Sequence, residues 1–431
     1  MTFRFLHLAD LHLETRFGGR AEVRARLREA TLEAFRRAVD LAVESELHAL
    51  LVAGDAFDDE LLSRRTELAF VADVRRAAEA GVHVLYATGN HDPGSARHRA
   101  ARLGLEPDGV GRPWHERVHV FRSATPEVVR VTELGGRTVG VVVGAGHVTA
   151  HEERNLAARF RPLERSFPRV GLLHTQVEGA ARGDEHARYA PSTREDLAAV
   201  DYDYWALGHV HQRQRPFPDV PAWYPGNLQG RHAKETGPKG GLLVELEAGE
   251  PAHPIFVPLA PIRWERLVLD ATPALATFDA LATAIGRALT QAAGTGPGEL
   301  AARVVLQGRT PLARDLADED ARRDLEDTLR ERTGALEVEI DARRVARPRD
   351  LTALRATPCV VSAALELLGE ARGDPAVLRA LAPGRMAGLD EDADTATRDV
   401  YLRELLAGLE EELLERALDA DFGSDSREAR R

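Results

Sequence analysis

One cysteine, Cys359, stands in 431 residues, which excludes an intrachain disulfide and any cysteine-rich metal site. Lysine is nearly missing as well: Lys234 and Lys239 are the only two. No stretch approaches the ~20 apolar residues of a membrane-spanning helix, so no membrane association is expected. The opening residues MTFRFLHLADLHLE lack a sustained apolar run and reach an acid at Asp10. They do not read as a signal peptide, and a cytoplasmic location is expected. No phosphate-binding loop of the form Gly-x-x-x-x-Gly-Lys-Ser/Thr occurs, so any ATP dependence would have to come from a partner. Internal repeats and low-complexity tracts are also missing. There is no excess of positive charge either. The net charge of −12 divides into −3 over residues 1–260 (33 Lys+Arg, 36 Asp+Glu) and −9 over the rest (24 and 33). Sequence-independent nucleic-acid binders usually carry a basic footprint. Contact with DNA would here need bound metal ions and a local basic face.

What is present is a globular chain, 44% hydrophobic and 29% charged, too long for one typical domain of about 100–200 residues. Apolar runs at 3–9, 49–53, 82–87, 139–143, 170–173 and 204–207 have the length of buried strands. Between the first two, Val23, Leu27, Ala30, Ala34, Ala38 and Leu41 recur every three or four residues, predicting an amphipathic helix over 21–46. The alternation predicts an α/β layered domain over residues 1–260. Strands at 262–269, 301–306 and 335–340 with helices at 278–292 and 315–332 predict a small α/β domain over 261–345. Residues 346–431 carry Pro348, Pro358, Pro375 and Pro383. They end in a helical segment, 397–418, with an apolar stripe of Val400, Leu402, Leu405, Leu406, Leu409, Leu413, Leu414 and Leu418 beside Glu404, Glu410 and Glu411. That stripe suits packing on its own domain and docking of a partner equally.

Five short signals follow successive strands: Asp10-Leu-His12, Gly54-Asp55-Ala-Phe-Asp58, Gly89-Asn90-His91-Asp92, His174 in Gly-Leu-Leu-His-Thr, and Gly208-His209-Val-His211. Loops beyond the carboxyl ends of strands are where α/β sheets bind ligands. Carboxylate and amide oxygens mixed with imidazole nitrogens suit ions such as Mn²⁺, Fe²⁺ or Zn²⁺, whereas Ca²⁺ favours oxygens alone. Asp-x-His and His-x-His place two donors on the same side of an extended segment. Glycines before Asp55, Asn90 and His209 allow tight turns. Seven candidate ligands exceed what one six-coordinate ion takes once water is allowed for, and they suit two ions sharing a carboxylate. Each signal alone is commonplace; five in order at strand ends are not explained by core packing.

This series resembles that of the calcineurin-like metallophosphoesterase superfamily. Leu11-His12-Leu13-Glu14, the run from Asp203 to His211, Tyr224-Pro225-Gly226-Asn227 and Gly237-Pro238-Lys239-Gly240 resemble the SbcD/YhaO group of bacterial DNA-repair exonucleases. The YhaO-like branch fits better, since SbcD-like members usually carry Trp where Leu11 stands. The resemblance covers about residues 4–245 and implies a layered β-sandwich flanked by helices, with a small α/β capping domain and a C-terminal helical segment. It implies that Asp10, His12 and His211 hold a first ion and that Asp55 bridges to a second. Asn90, His174 and His209 would complete the second ion's shell. His91 would face the phosphate and assist the leaving oxygen, and Asp58 would orient His91. The ions implied are two divalent metals, manganese first, with iron or zinc as alternatives.

The resemblance further implies a two-metal phosphodiesterase acting on DNA in repair, as an exonuclease with endonuclease activity left open. An SMC-like coiled-coil ATPase is the implied partner and a homodimer the common assembly. A phosphatase or phosphodiesterase of small phosphorylated molecules shares the same site and stands as the alternative. The loop 230–240, with Arg231, His232, Lys234 and Lys239, reads either as a solvated hairpin or as a contact to the DNA backbone.

Overall fold

The computed structural model of the protein describes residues 2–58, 62–95, 107, 111–180, 189–348, 360–382, 395–406, 409 and 413. The chain runs through β1 (Thr2–Leu8), α1 (Ala21–Glu44), β2 (Ala49–Ala53), α2 (Arg64–Glu79), β3 (His83–Ala87) and β4 (Val118–Phe121). Next come β5 (Glu127–Thr132), β6 (Thr138–Ala145), β7 (Arg169–His174), α3 (Arg194–Ala198), β8 (Tyr204–Gly208), β9 (Ala222–Trp223), β10 (Gly240–Glu247) and β11 (Ile255–Pro258). The following group is β12 (Ile262–Ala271), α4 (Phe278–Ala293), β13 (Glu299–Arg309), α5 (Ala313–Ala317), α6 (Glu319–Thr333) and β14 (Glu337–Ala346). Helices α7 (Val360–Gly373), α8 (Pro375–Ala380) and α9 (Thr395–Leu406) complete the described elements.

The strands form three sheets, ordered β11-β10-β1-β2-β3-β4, β5-β6-β7-β8-β9 and β12-β13-β14. Strands β1 to β4 are parallel, and β10 and β11 extend the edge beyond β1 antiparallel. In the second sheet β6 to β9 are parallel and β5 is antiparallel. Side chains alternate between two apolar environments, as in sheets covered on both faces. Leu6, Leu8, Leu50, Val52, Val84 and Tyr86 share a core with Ala34, Phe35, Phe70 and Val74 of α1 and α2. There Phe35 stacks on Phe70 with centroids 5.0 Å apart. Phe3, Phe5, Leu51 and Leu85 instead meet Val139, Val142, Val170 and Leu172 of the second sheet. The reverse side of that sheet, with Leu173, Trp205 and Leu207, packs against Phe160, Leu197 and Tyr202. Each such fully buried side chain contributes roughly 1.5–3 kcal/mol. The architecture is the expected α/β one: two sheets face to face, with helices on the outside.

The chain divides into two compact units, Met1–Ala346 and Arg347–Arg431. The first unit includes the three-stranded sheet that begins at Ile262. Ile262, Trp264 and Ala301 join Phe17, Val23, Leu27 and Ala30 in one cluster, which ties the three-stranded sheet to α1. Three strands and two helices were read from sequence here, but the helix expected over 315–332 is broken in two. Asp318 leaves helical geometry, and its carboxylate caps α6 through Ala321 N. In the second unit α7 and α8 were not read from the sequence. Of the apolar stripe, Leu402 is buried, whereas Val400, Leu405 and Leu409 are exposed. Leu414, Leu418, Glu410 and Glu411, like Pro358, Pro383 and Cys359, lie outside the described residues.

The two facing sheets approach closely where glycines leave room for rings. A Cβ on Gly144 in β6 would sit 2.5 Å from the Phe121 ring of β4. Gly144→Ala is expected to lower stability by about 1–3 kcal/mol through overpacking. Chemical denaturation checks it, and an unchanged midpoint would mean the sheets can part at no cost.

Candidate metal centre

The carboxyl ends of β1, β2, β3, β7 and β8 converge at one end of the double sheet. Loops after β1 and β2 stay paired: Asp10 N donates to Gly54 O (3.1 Å), His12 N to Asp55 O (3.0 Å) and Leu13 N to Ala56 O (3.0 Å). These bonds hold the first two signals side by side. Asp92 fixes the third. Its Oδ1 accepts from Gly89 N (2.7 Å), and its Oδ2 accepts from Ala56 N (2.6 Å), Phe57 N (3.3 Å) and the Tyr86 hydroxyl. One buried carboxylate thus ties the turn after β3 to the turn after β2.

Three groups of donors result. Ligating atoms of Asp10, His12 and His211 lie within 4.8 Å of one another, as do those of Asp10, Asp55 and His174, and those of His12, Asp58 and His91. Asp55 Oδ2 faces both sides, 3.9 Å from His12 Nε2 and 3.4 Å from His174 Nε2. Asn90 Oδ1 is 3.0 Å from His174 Nε2. His209 contributes its backbone N–H to both oxygens of Asp10 at 3.1 Å, and its ring stands edge-on to that of His174 with centroids 5.2 Å apart. His91 is the exposed member, with its side chain 40% accessible and Nδ1 3.3 Å from Asp58 Oδ1. The shorter contact of Asp58 goes to His12, Nδ1 to Oδ1 at 2.8 Å.

The same-side placement of Asp10 with His12 was expected from extended backbone, and the structure achieves it differently. Asp10 (φ 52°), His12 (φ 47°), Asp55 (φ 49°) and His209 (φ 105°) all lie in the left-handed region. Such residues cost of order 1–3 kcal/mol each and persist where the surroundings over-determine them. The glycines also act differently. Gly54, at φ 89°, combines an unusual conformation with space for the His174 ring. For Gly89 and Gly208 the reason is proximity alone: an added Cβ would fall 2.1 Å from Asp55 Oδ1 and 1.7 Å from Ala53 O.

Electrostatics make the centre a site for a cation. Burial, then the neighbouring Asp55 charge, pushes Asp10 well above the ordinary carboxylate range, and burial raises Asp55 as well. Burial likewise drives His12 and His174 far below the usual imidazole value, leaving neutral rings. His174 Nδ1 donates to Ala53 O at 2.9 Å, so its Nε2 lone pair points inward. Close carboxylates with neutral imidazole nitrogens are a donor set that fits divalent ions of intermediate softness.

The loop after the last signal does not present all four expected contacts outward. Lys239 is buried, its Nζ donating to His211 O at 2.8 Å, and burial lowers it to about 8 despite Glu235 and Asp10. Arg231 is 16% accessible and turns toward Glu235 and Asp58. His232 and Lys234 remain toward solvent. Sequence reading gave no role to Asp92, Tyr86, Asn227 or Glu235. Asp92 and Asn227 stood inside the motif runs, whereas Tyr86 and Glu235 were marked only by lying near them.

With this geometry, similarity to known proteins can be placed. The model of the calcineurin-like phosphoesterases matches residues 3–213, and that of the middle domain of the metallophosphoesterase YhaO matches residues 264–346. A Bacillus subtilis (strain 168) protein named "Uncharacterized metallophosphoesterase YhaO" is 34% identical over 312 residues, 71% of this chain and 72% of that protein. This chain is a calcineurin-like metallophosphoesterase. Within that family its match to YhaO agrees with the YhaO-like branch. The metallophosphoesterase is also similar to proteins named "DNA double-strand break repair protein Mre11". That of Aeropyrum pernix is 31% identical over 272 residues, 60% of this chain and 62% of that protein. That of Methanopyrus kandleri is 27% identical over 290 residues, 61% and 58% respectively. The metallophosphoesterase thus spans about six-tenths of the length of these archaeal relatives.

Asp92→Ala in this metallophosphoesterase would strand three backbone N–H groups and a buried hydroxyl. The expected loss is about 3 kcal/mol or more in stability. It should be accompanied by weaker divalent-metal uptake, read by denaturation and by metal analysis after gel filtration. Wild-type stability would show that the two turns hold without it.

Proposed function

We propose that this metallophosphoesterase holds two divalent ions, manganese first among them, and hydrolyses phosphodiester bonds in DNA. The observation that carries the proposal is the convergence of Asp10, His12, Asp55, Asn90, His174, His209 and His211 from five strand ends. The first ion would be held by Asp10, His12 and His211, the second by Asn90, His174 and His209, with Asp55 between them. When bound, a pair of such ions neutralises phosphate charge and lowers the pKa of water.

The chain's own residues supply the rest. His91 stands at the open side of the centre with Nδ1 toward Asp58, which leaves Nε2 directed at an incoming phosphate. Burial lowers its affinity for a proton, but the Asp55 and Asp58 charges outweigh this and raise it above the ordinary imidazole value. Oriented by Asp58, His91 would hold a proton at Nε2 and pass it to the departing sugar oxygen. General-acid help of this kind contributes about 10²–10⁴-fold.

The names of the archaeal relatives favour DNA as substrate, and solvent-facing His232 and Lys234 could meet its backbone. A coiled-coil ATPase of SMC type is the partner proposed, on the resemblance to the SbcD/YhaO group, and any ATP dependence would come from it. The exposed Val360, Leu367, Val400 and Leu405 of the second unit are candidate contacts for it. Among the described residues no helix is long and apolar enough to cross a membrane.

Purified full chain with Mn²⁺ should shorten end-labelled DNA. Nucleotide monophosphates and cyclic nucleotides serve as competitors for the reading. Hydrolysis of these alone, read as phosphate from the monophosphates or ring-opened product from the cyclic nucleotides, would move the substrate to small phosphorylated molecules. His91→Ala should keep its metal content yet lose about 10²–10⁴-fold in turnover of a dinucleotide diester, whose departing sugar oxygen needs a proton. Undiminished turnover would remove His91 from the reaction.

A further inference from the structure

Two carboxylates outside the seven candidate ligands stand behind the imidazoles that face the first ion. Asp58 Oδ1 lies 2.8 Å from His12 Nδ1, and Glu235 Oε1 lies 2.7 Å from His211 Nδ1. A carboxylate accepts only, so each contact requires the proton on Nδ1. Both Nε2 lone pairs then point into the same space, where they are 3.0 Å apart. Arg231 Nη2 is also 3.1 Å from His211 Nδ1. The opposite tautomer would accept from that guanidinium, but it would set a lone pair against Glu235 at 2.7 Å. The carboxylate therefore decides the tautomer.

Glu235 is itself held from several directions. Its Oε2 accepts from Asn227 Nδ2 and from Arg231 N, both at 2.7 Å. The Arg231 guanidinium lies 3.3 Å from Glu235 Oε1 and 3.5 Å from Asp58 Oδ1. It sits between the two carboxylates and balances both. With three N–H donors and the Arg231 guanidinium around its two oxygens, Glu235 stands as a carboxylate acceptor. An ionised carboxylate behind an imidazole makes the far nitrogen a better donor to a cation. A residue serving only to hold the loop would need the bonds to Asn227 and Arg231 N and no charge directed at His211.

We propose that Glu235, linked through Arg231 to Asp58, is a positioning residue that fixes the tautomer and ring plane of His211 and strengthens its grip on the first ion. The proposal rests on the two-metal reading above and adds a residue to it. Metal-free full chain titrated with Mn²⁺, followed by calorimetry and electron paramagnetic resonance, tests it. Wild type should take up two ions and give a spin-coupled spectrum. Glu235→Gln keeps the shape and the bond to Arg231 N but removes the charge. It should weaken one of the two binding steps about 10–100-fold, leave the other unchanged and give the six-line signal of an isolated ion at one equivalent. Its metal-free melting temperature should stay near that of wild type, and excess Mn²⁺ should restore the coupled spectrum. Glu235→Ala should show a larger loss, and if it does not fold, the Gln variant carries the test. Two unweakened binding steps in Glu235→Gln would overturn the role of Glu235 alone. A wild-type chain that takes up no pair of ions would overturn the two-metal reading and this proposal together.

Discussion

Two buried carboxylates with oxygens inside a 4.8 Å cluster, Asp10 and Asp55, set the conditions for everything around them. Bringing like charges together away from water is unfavourable, and the protein answers with fixed dipoles. Asp10 accepts from His209 N, Asp55 from His91 N, and neither is matched by a buried lysine or arginine in direct contact among the described ion pairs. The remaining imbalance is what a cation relieves. Arg231 instead serves the outer pair, Asp58 and Glu235, so the inner charge stays available.

Holding that imbalance requires a rigid frame. The donors come from both sheets: Asp10, Asp55 and Asn90 follow strands of one, His174 and His209 strands of the other. The apolar seam of Phe3, Phe5, Val142 and Leu172 sets the distance between them. Four left-handed residues and three glycines without room for a Cβ follow from the same demand. The chain must turn sharply and approach closely at the one place where carboxylates and imidazoles meet.

Much of this was legible before any coordinates. Short apolar runs gave strand positions within about two residues, because strands buried on both faces cannot hide polar residues. The motif histidines and aspartates stood out because five signals recurred in order. What escaped was non-local. Glu235 becomes meaningful only when the loop after β9 folds back over His211, and no local pattern announces that. Lys239 looked like a surface cation because lysine usually is one; its burial depends on a carbonyl 28 residues away. The break at Asp318 escaped because the apolar period runs through it while the carboxylate caps the second helix. The φ values at Asp10 and His12 were invisible because an i, i+2 spacing looks the same in extended and left-handed backbone.

The strand order also constrains how the protein is made. β1 lies between β2 and β10, with Phe5 opposite Ala49 on one flank and Val244 on the other. β1 is translated soon before β2, yet its second neighbour follows about 230 residues later. At about 5–20 residues per second, β1 waits on the order of ten seconds or more with one edge open. Asp10 and His12 wait with it, so the first two donors of the centre stand beside an open sheet edge until β10 arrives.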